Sequence, residues 1–189
     1  MIEVRWHGRA GQGAKTASQL LAMAELRAGR FVQAFPEYGP ERGGAPMRAY
    51  TRIGDRPIRR RHGITNPDAV VVLDPSLLGE ASVREGAGTE TALVANADCS
   101  ADELRTELDW PGAVVTVPAA RIALAHGAKS VNVAMVGALA ARLGHPCLDD
   151  LLAADAELFG KKLSADARAE VEGAIREGFE STESEAVHA

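Results

Sequence analysis

Near the start of the chain Ile2, Val4 and Trp6 alternate with Glu3 and Arg5, the period-two pattern of a strand with one buried face. From Ala14 the period changes. Ala14, Ala17, Leu21, Ala24 and Ala28 recur at intervals of three and four, which predicts a helix with Gly29 placed to end it. Residues 31–34 predict a short second strand. Residues 47–53 alternate again and are followed by the turn signal Gly54-Asp55-Arg56-Pro57. Residues 67–74 form a valine-rich apolar run too short for a typical helix, so they predict a buried parallel strand stopped by Pro75. Residues 91–95 and 113–117 have the same character. Residues 132–143 and 149–158 predict helices, the first closed by Gly144 with Pro146 just beyond. Residues 164–179 carry Ala167, Val171, Ala174 and Ile175 on one stripe, the pattern of a helix docked by one face.

This alternation predicts an α/β fold: one domain with a largely parallel sheet flanked by helices, a Rossmann-like three-layer arrangement. At 189 residues, with 46% hydrophobic and 25% charged residues, the chain suits a single core over residues 1–180. Residues 181–189 have the composition of a polar C-terminal tail. The 4% aromatic content suits a core of Ala, Val and Leu.

A formal net charge of −5 argues against a general nucleic-acid binder, which needs a basic face to neutralise phosphates, and no nucleic-acid partner is expected. Charge is nonetheless uneven. From Arg42 to Arg61 there are seven arginines and one acid, Asp55, whereas the segment after Leu148 is mostly acidic. The basic stretch fits a phosphate, an acidic partner or a solvated hairpin. The two cysteines, Cys99 and Cys147, form no CxxC or Cys/His pattern, and the five histidines have no metal-ligand spacing. The longest apolar stretch, residues 133–141, falls far short of the ~20 residues a membrane span needs, and the start lacks a secretory pattern. No membrane contact and a cytoplasmic location are expected.

Two stretches carry candidate chemistry. Gly8-Arg9-Ala10-Gly11-Gln12-Gly13 lies between the first strand and the first helix, where a flexible turn and a helix N-terminus together can hold an anion. Its order is GxxGxG, not the GxGxxG of dinucleotide sites. It is also one residue out of register for a Walker A loop, because Ala14 intervenes before Lys15 and Thr16. That residue turns Lys15 by ~100° around the helix. Two readings of the turn stay open: an anion or partner site, and a tight crossover whose glycines supply only positive φ. The second stretch runs from Phe35 to Pro46, with three prolines and three glycines. Its Glu37, Glu41 and Arg42 could be ligand groups, but no partner histidine or metal motif accompanies them. A rigid loop with Phe35 and Tyr38 exposed favours an interface, formed by Phe35, Glu37, Tyr38, Glu41 and Arg42.

Taken in order, Gly8 to Gly13, then Gln33-Ala34-Phe35-Pro36-Glu37-Tyr38-Gly39-Pro40-Glu41-Arg42-Gly43-Gly44-Ala45-Pro46, then Asp68 to Asp74 and Asn132 to Ala138, the chain resembles the gamma subunits of the 2-oxoacid:ferredoxin oxidoreductases, pyruvate:ferredoxin oxidoreductase in particular. The resemblance covers nearly the whole chain. One departure is Ala10, where the family commonly has glycine. The resemblance implies a hetero-oligomeric enzyme with alpha, beta and delta-type partner subunits, which oxidatively decarboxylates a 2-oxoacid to an acyl-CoA and passes electrons to ferredoxin. Thiamine diphosphate, iron–sulfur clusters and coenzyme A belong to that holoenzyme. None is expected to be bound by this chain alone, which has two isolated cysteines and no GDG…NN motif. The resemblance assigns no catalytic residue here and leaves the isolated chain inactive. Gly8, Arg9, Gly11, Gln12, Gly13, Lys15 and Arg42 become candidates for a coenzyme A, anion or subunit contact. Pyruvate is the expected substrate. The alternatives are a 2-oxoglutarate, 2-ketoisovalerate or indolepyruvate oxidoreductase subunit, or a stand-alone nucleotide-binding protein.

Overall fold

Strand β1 (Ile2–Arg9) is longer than its alternation predicts and occupies the middle of the sheet, pairing with a neighbour on each side. The computed structural model describes residues 1–37, 44–160 and 162–186, with side chains to 182. The other strands are β2 (Phe31–Glu37), β3 (Pro46–Gly54), β4 (Ala69–Val72), β5 (Ala92–Asn96) and β6 (Val114–Val117). They lie in the order β2-β3-β1-β4-β5-β6. The pairs β1–β4, β4–β5 and β5–β6 are parallel, and β3 runs against both β1 and β2. The largely parallel sheet therefore holds, with β3 the one reversed strand.

The parallel half is apolar on both faces. Val71 and Val94 enter one core, and Val70, Val72, Leu93 and Ala95 enter the other. Helices α1 (Ala14–Arg27), α4 (Ala119–His126), α5 (Asn132–Leu143), α6 (Leu148–Phe159) and α7 (Ala165–Ala186) build the first core. A 3-10 turn at Pro75–Leu77 and helices α2 (Ala81–Arg84) and α3 (Ala101–Glu107) build the second. The predicted helix at 132–143 is reproduced as α5, which is buried along Asn132 to Ala140. It crosses α7 at backbone contact, since a β-carbon on Gly137 would lie 2.3 Å from the Ile175 carbonyl oxygen. The small residues that weaken an isolated helix allow that approach. Helix α7 continues through Thr182, which is buried and donates to the Gly178 carbonyl, into the segment expected to be a tail.

The antiparallel half differs. Helix α1 covers one face of β2 and β3. On the opposite face the registers align three rows: Gln33–Arg52–Glu3, Phe35–Tyr50–Arg5 and Glu37–Arg48–His7. Arg5 and Arg52 are fully buried in these rows. Arg52 donates to Glu3 at 2.7 Å, Gln33 at 2.9 Å and the His62 carbonyl at 2.7 Å. Strand β2 also extends past the predicted residues 31–34 to Glu37, so Phe35, Pro36 and Glu37 are strand, not loop. Pro36 is tolerated because β2 is an edge strand.

Candidate functional site: a cleft at the strand ends

Chain leaving β1 must reverse into α1 within four residues, and the turn does so with positive φ at Gly11 (97°) and Gly13 (83°). At Gly13 a side chain is excluded twice: by that φ, and by Asn132, whose Nδ2 would lie 2.6 Å from an added β-carbon. Asn132 donates from Nδ2 to the Gly13 carbonyl at 3.3 Å, and Ser130 Oγ donates to the Gln12 carbonyl at 3.1 Å. The Ala10 N–H donates to the Ala45 carbonyl at 2.9 Å, which ties the turn to the start of β3. Both readings of the turn meet here, since a tight crossover frames a helix N-terminus. No side chain caps α1 and no acid lies in its first turn, so no side chain offsets the positive end of the helix dipole.

Arg9 is not a free cation. Its Nε lies 3.2 Å from Asp74 Oδ2, its Nη2 donates to Ser76 Oγ at 2.8 Å, and its Nη1 donates to the Gly44 carbonyl at 3.1 Å. Gln12 bridges the same group, accepting from the Arg9 N–H at 2.7 Å and donating to Asp74 at 2.6 Å. The Ser76 hydrogen bonds, assisted by Gln12 and Arg9, hold the Asp74 carboxyl below the usual range. Asp74 ends the β4 segment but is occupied by this latch, whereas a Walker arrangement would need it beside a lysine and a threonine.

Around the latch opens a cleft of about 310 Å³ at the C-terminal ends of β1, β4 and β5, whose lining includes Gly11, Gln12, Asp74, Asn96, Lys129 and Ser130. In open α/β sheets this is where ligands bind. Of the predicted contact residues, Gly11 and Gln12 line the cleft and Gly13 begins the helix beside it. Gly8 lies under the turn, with Leu73 3.3 Å from an added β-carbon. Lys15 is exposed on the first turn of α1. Arg42, Tyr38 and Glu41 fall outside the described residues.

The other interface candidates have inward partners. Phe35 packs on Tyr50, ring centroids 5.1 Å apart, beneath the Arg52 guanidinium at 5.6 Å. Expected as an exposed loop aromatic, Phe35 is half-buried in a strand. Glu37 accepts a short hydrogen bond from the Tyr50 hydroxyl and an ion pair from Arg48 at 2.9 Å. Burial, with the Glu37 bond behind it, pushes the Tyr50 phenol up to about 12. His7, next along, is pushed down to about 3 by burial and by Arg5 and Arg48, so it stays neutral. Its Nε2 accepts from Arg5 Nε at 3.0 Å, which fixes the proton on Nδ1.

Lys129, Ser130 and Asn96, which line the cleft, and Asn132, which holds the turn beside it, are groups whose place here sequence reasoning passed over. Three of them sit in Lys129-Ser130-Val131-Asn132, the run entering α5, and a polar run opening an otherwise apolar helix was the available signal.

The family model for pyruvate ferredoxin/flavodoxin oxidoreductase matches residues 3–181. The chain belongs to that family. Within the pyruvate ferredoxin/flavodoxin oxidoreductase family it is 45% identical over 180 residues to the pyruvate synthase subunit PorC of Thermotoga maritima, covering 95% of this chain and 93% of that one. The crystal structure of that pyruvate oxidoreductase subunit aligns with a TM-score of 0.82 at 39% identity, over 95% of each chain. The common gamma subunit of the pyruvate and ketoisovalerate oxidoreductases of Thermococcus kodakarensis is 44% identical over 165 residues, 86% of this chain and 89% of its own. A 2-oxoglutarate:ferredoxin oxidoreductase of Magnetococcus marinus, solved with 2-oxoglutarate, coenzyme A and succinyl-CoA, shares the fold. Its TM-score is 0.67 at 19% identity, over all of this chain and 31% of that longer one. Among the described residues no helix is long and apolar enough to cross a membrane.

Proposed function

We propose that this chain is the gamma subunit of a pyruvate:ferredoxin oxidoreductase and that its strand-end cleft receives the phosphate-bearing part of coenzyme A. The relatives from Thermotoga maritima and Thermococcus kodakarensis are named as a pyruvate synthase subunit and a shared gamma subunit, and the family match spans almost the whole chain. The alpha, beta and delta-type partners, and ferredoxin as acceptor, follow from that reading. Thiamine diphosphate and the clusters fall to those partners: the sequence carries no GDG…NN motif, and it has two cysteines where a cubane cluster takes four thiolates.

The observation that carries the coenzyme assignment is the uncapped N-terminus of α1 beside a cleft bearing Lys129 and Ser130, with Lys15 on the adjoining helical turn. Backbone N–H groups at a helix start bind phosphate oxygens, and two lysines supply charge without a fixed geometry. The Arg9–Asp74–Gln12 latch shapes the floor and leaves anion attraction to the lysines and the helix dipole. Coenzyme A, when bound, supplies the thiol that accepts the acyl group; this chain holds and orients its polar end and excludes water from the floor of the cleft.

The test is steady-state kinetics on the assembled enzyme with Lys15→Ala, Lys129→Ala and the double variant. The double variant should raise KM for coenzyme A about tenfold, as expected for loss of two charge-assisted contacts, and leave KM for pyruvate unchanged. An unchanged coenzyme KM in the double variant contradicts the assignment.

A further inference from the structure

The cleft lies at the Arg9 end of β1. At the Ile2 end, eight strand residues and roughly 25 Å away, lies a second concentration of charge. Residues 55–61 leave β3 as a strap carrying Arg56, Arg59, Arg60 and Arg61 against one acid, Asp55, in a chain of net charge −5. Its course is pinned. The buried Arg52 donates to the His62 carbonyl at 2.7 Å, and half-buried Ile58 approaches to 3.7 Å from a β-carbon placed on Gly54. Arg60 reaches Glu3 at 3.6 Å. Arg56, Arg59 and Arg61 are exposed and form no ion pair among the described residues. With Met1, Asp55, Ile58 and Arg60, Arg56 and Arg59 line an open cavity of about 680 Å³.

Unpaired cations crowded on one short segment repel one another, and the Arg52 bond at its end and the packing of Ile58 hold them there. We propose that this strap is the docking surface for an acidic face of a neighbouring subunit of the complex. The proposal rests on the reading of the chain as a subunit but is independent of the coenzyme site, which is a strand length away. An acidic protein surface is favoured over a phosphate ligand because Arg56, Arg59 and Arg61 are all exposed, and the cavity that Arg56 and Arg59 line, at about 680 Å³, is open and far larger than a phosphate. It is favoured over a soluble electron carrier because a carrier docked here would rest on a chain whose two cysteines cannot hold a cluster.

The experiment co-expresses the chain with its partner subunits and compares wild type with the triple variants Arg56→Glu/Arg59→Glu/Arg61→Glu and Arg56→Lys/Arg59→Lys/Arg61→Lys. The glutamate variant should co-purify at least about tenfold less well, the lysine variant should assemble normally, and wild-type assembly should weaken with added salt. The melting temperature of the full chain alone should be unchanged in both. Normal assembly of the glutamate variant overturns the proposal: with a raised coenzyme KM the strap binds an anionic ligand, with slowed ferredoxin reduction it binds the carrier, and with neither it is a solvated loop. A lowered melting temperature also overturns it, since the arginines would then serve the fold. Failure of the wild-type chain to join the complex at all is a different result, which removes the subunit reading itself.

Discussion

The two halves of the sheet solve the burial problem in opposite ways. Along β4 and from Ala92 to Ala95 of β5 every strand residue is apolar and faces a hydrophobic core on one side or the other. Around β2 and β3 the α1 side is apolar, and the other face carries Arg5, Arg48 and Arg52 with Glu3, Glu37 and His7 beside the Phe35–Tyr50 pair. Strand β1 belongs to both: Val4 and Trp6 enter the apolar core while Arg5 and His7 enter the ionic rows. The parallel half is stabilised by area removed from water and is tolerant of conservative apolar change. The ionic half depends on each buried charge keeping its partner, since an orphaned charge costs more than the pair contributes.

The strongest way to break both halves at once is Trp6→Ala. Trp6 is fully buried on the shared strand and donates to Thr51 Oγ1 at 3.0 Å. Its removal should cost about 4 kcal/mol in denaturant melts. Arg52→Met should cost about 3 kcal/mol by stranding Glu3 and the His62 carbonyl, and Arg52→Met/Glu3→Leu should recover part of that loss. In the parallel half Val71→Ala should cost about 2 kcal/mol, with no partner substitution that restores it.

Acid should separate the halves further. His7 stays neutral in the folded state down to about pH 3, whereas the unfolded chain takes up that proton near its ordinary value of 6.5. Below about pH 6.5 the unfolded state therefore binds more protons, and stability should fall by ~1.4 kcal/mol per pH unit. His7→Gln should flatten that slope in melts between pH 4 and 6.5. The smallest effect lies outside the sheet. Asp155 on α6 is buried with neither carboxylate oxygen hydrogen-bonded, and burial followed by Glu172 raises its pKa to about 6. The folded state holds that proton more tightly than the unfolded chain, so the stabilising contribution fades as pH rises through 6. Asp155→Asn should stabilise the protein by about 1 kcal/mol at pH 8 and by nothing at pH 4.

The same contrast explains what was legible in the sequence. The parallel half announced itself through unbroken valine runs, and α5 through its spacing and its terminal Gly144. The ionic half was partly hidden. Alternation located β1 and β3, but the reversed direction of β3 is set by long-range pairing that no local pattern reports. Pro36 and the glycines beyond it made Phe35 to Glu37 read as loop, although an edge strand accommodates a proline. In the cleft the glycine turn was plain, because only glycine fits the positive φ beside Asn132. The capture of Arg9 by Asp74 and Ser76 was not, since those residues lie more than sixty positions away. Lys129 and Ser130 likewise reach the cleft only through the packing of α5 beside the turn.

The chain belongs to the pyruvate ferredoxin/flavodoxin oxidoreductase family, whose members at 44–45% identity are named as subunits. The most direct measurement is anaerobic, coenzyme A-dependent viologen reduction with pyruvate by the co-expressed complex, prepared with and without this chain. Turnover should appear with the chain present, be lost when the chain is left out, and be absent from the chain alone. Equal turnover in the two preparations would contradict the subunit reading.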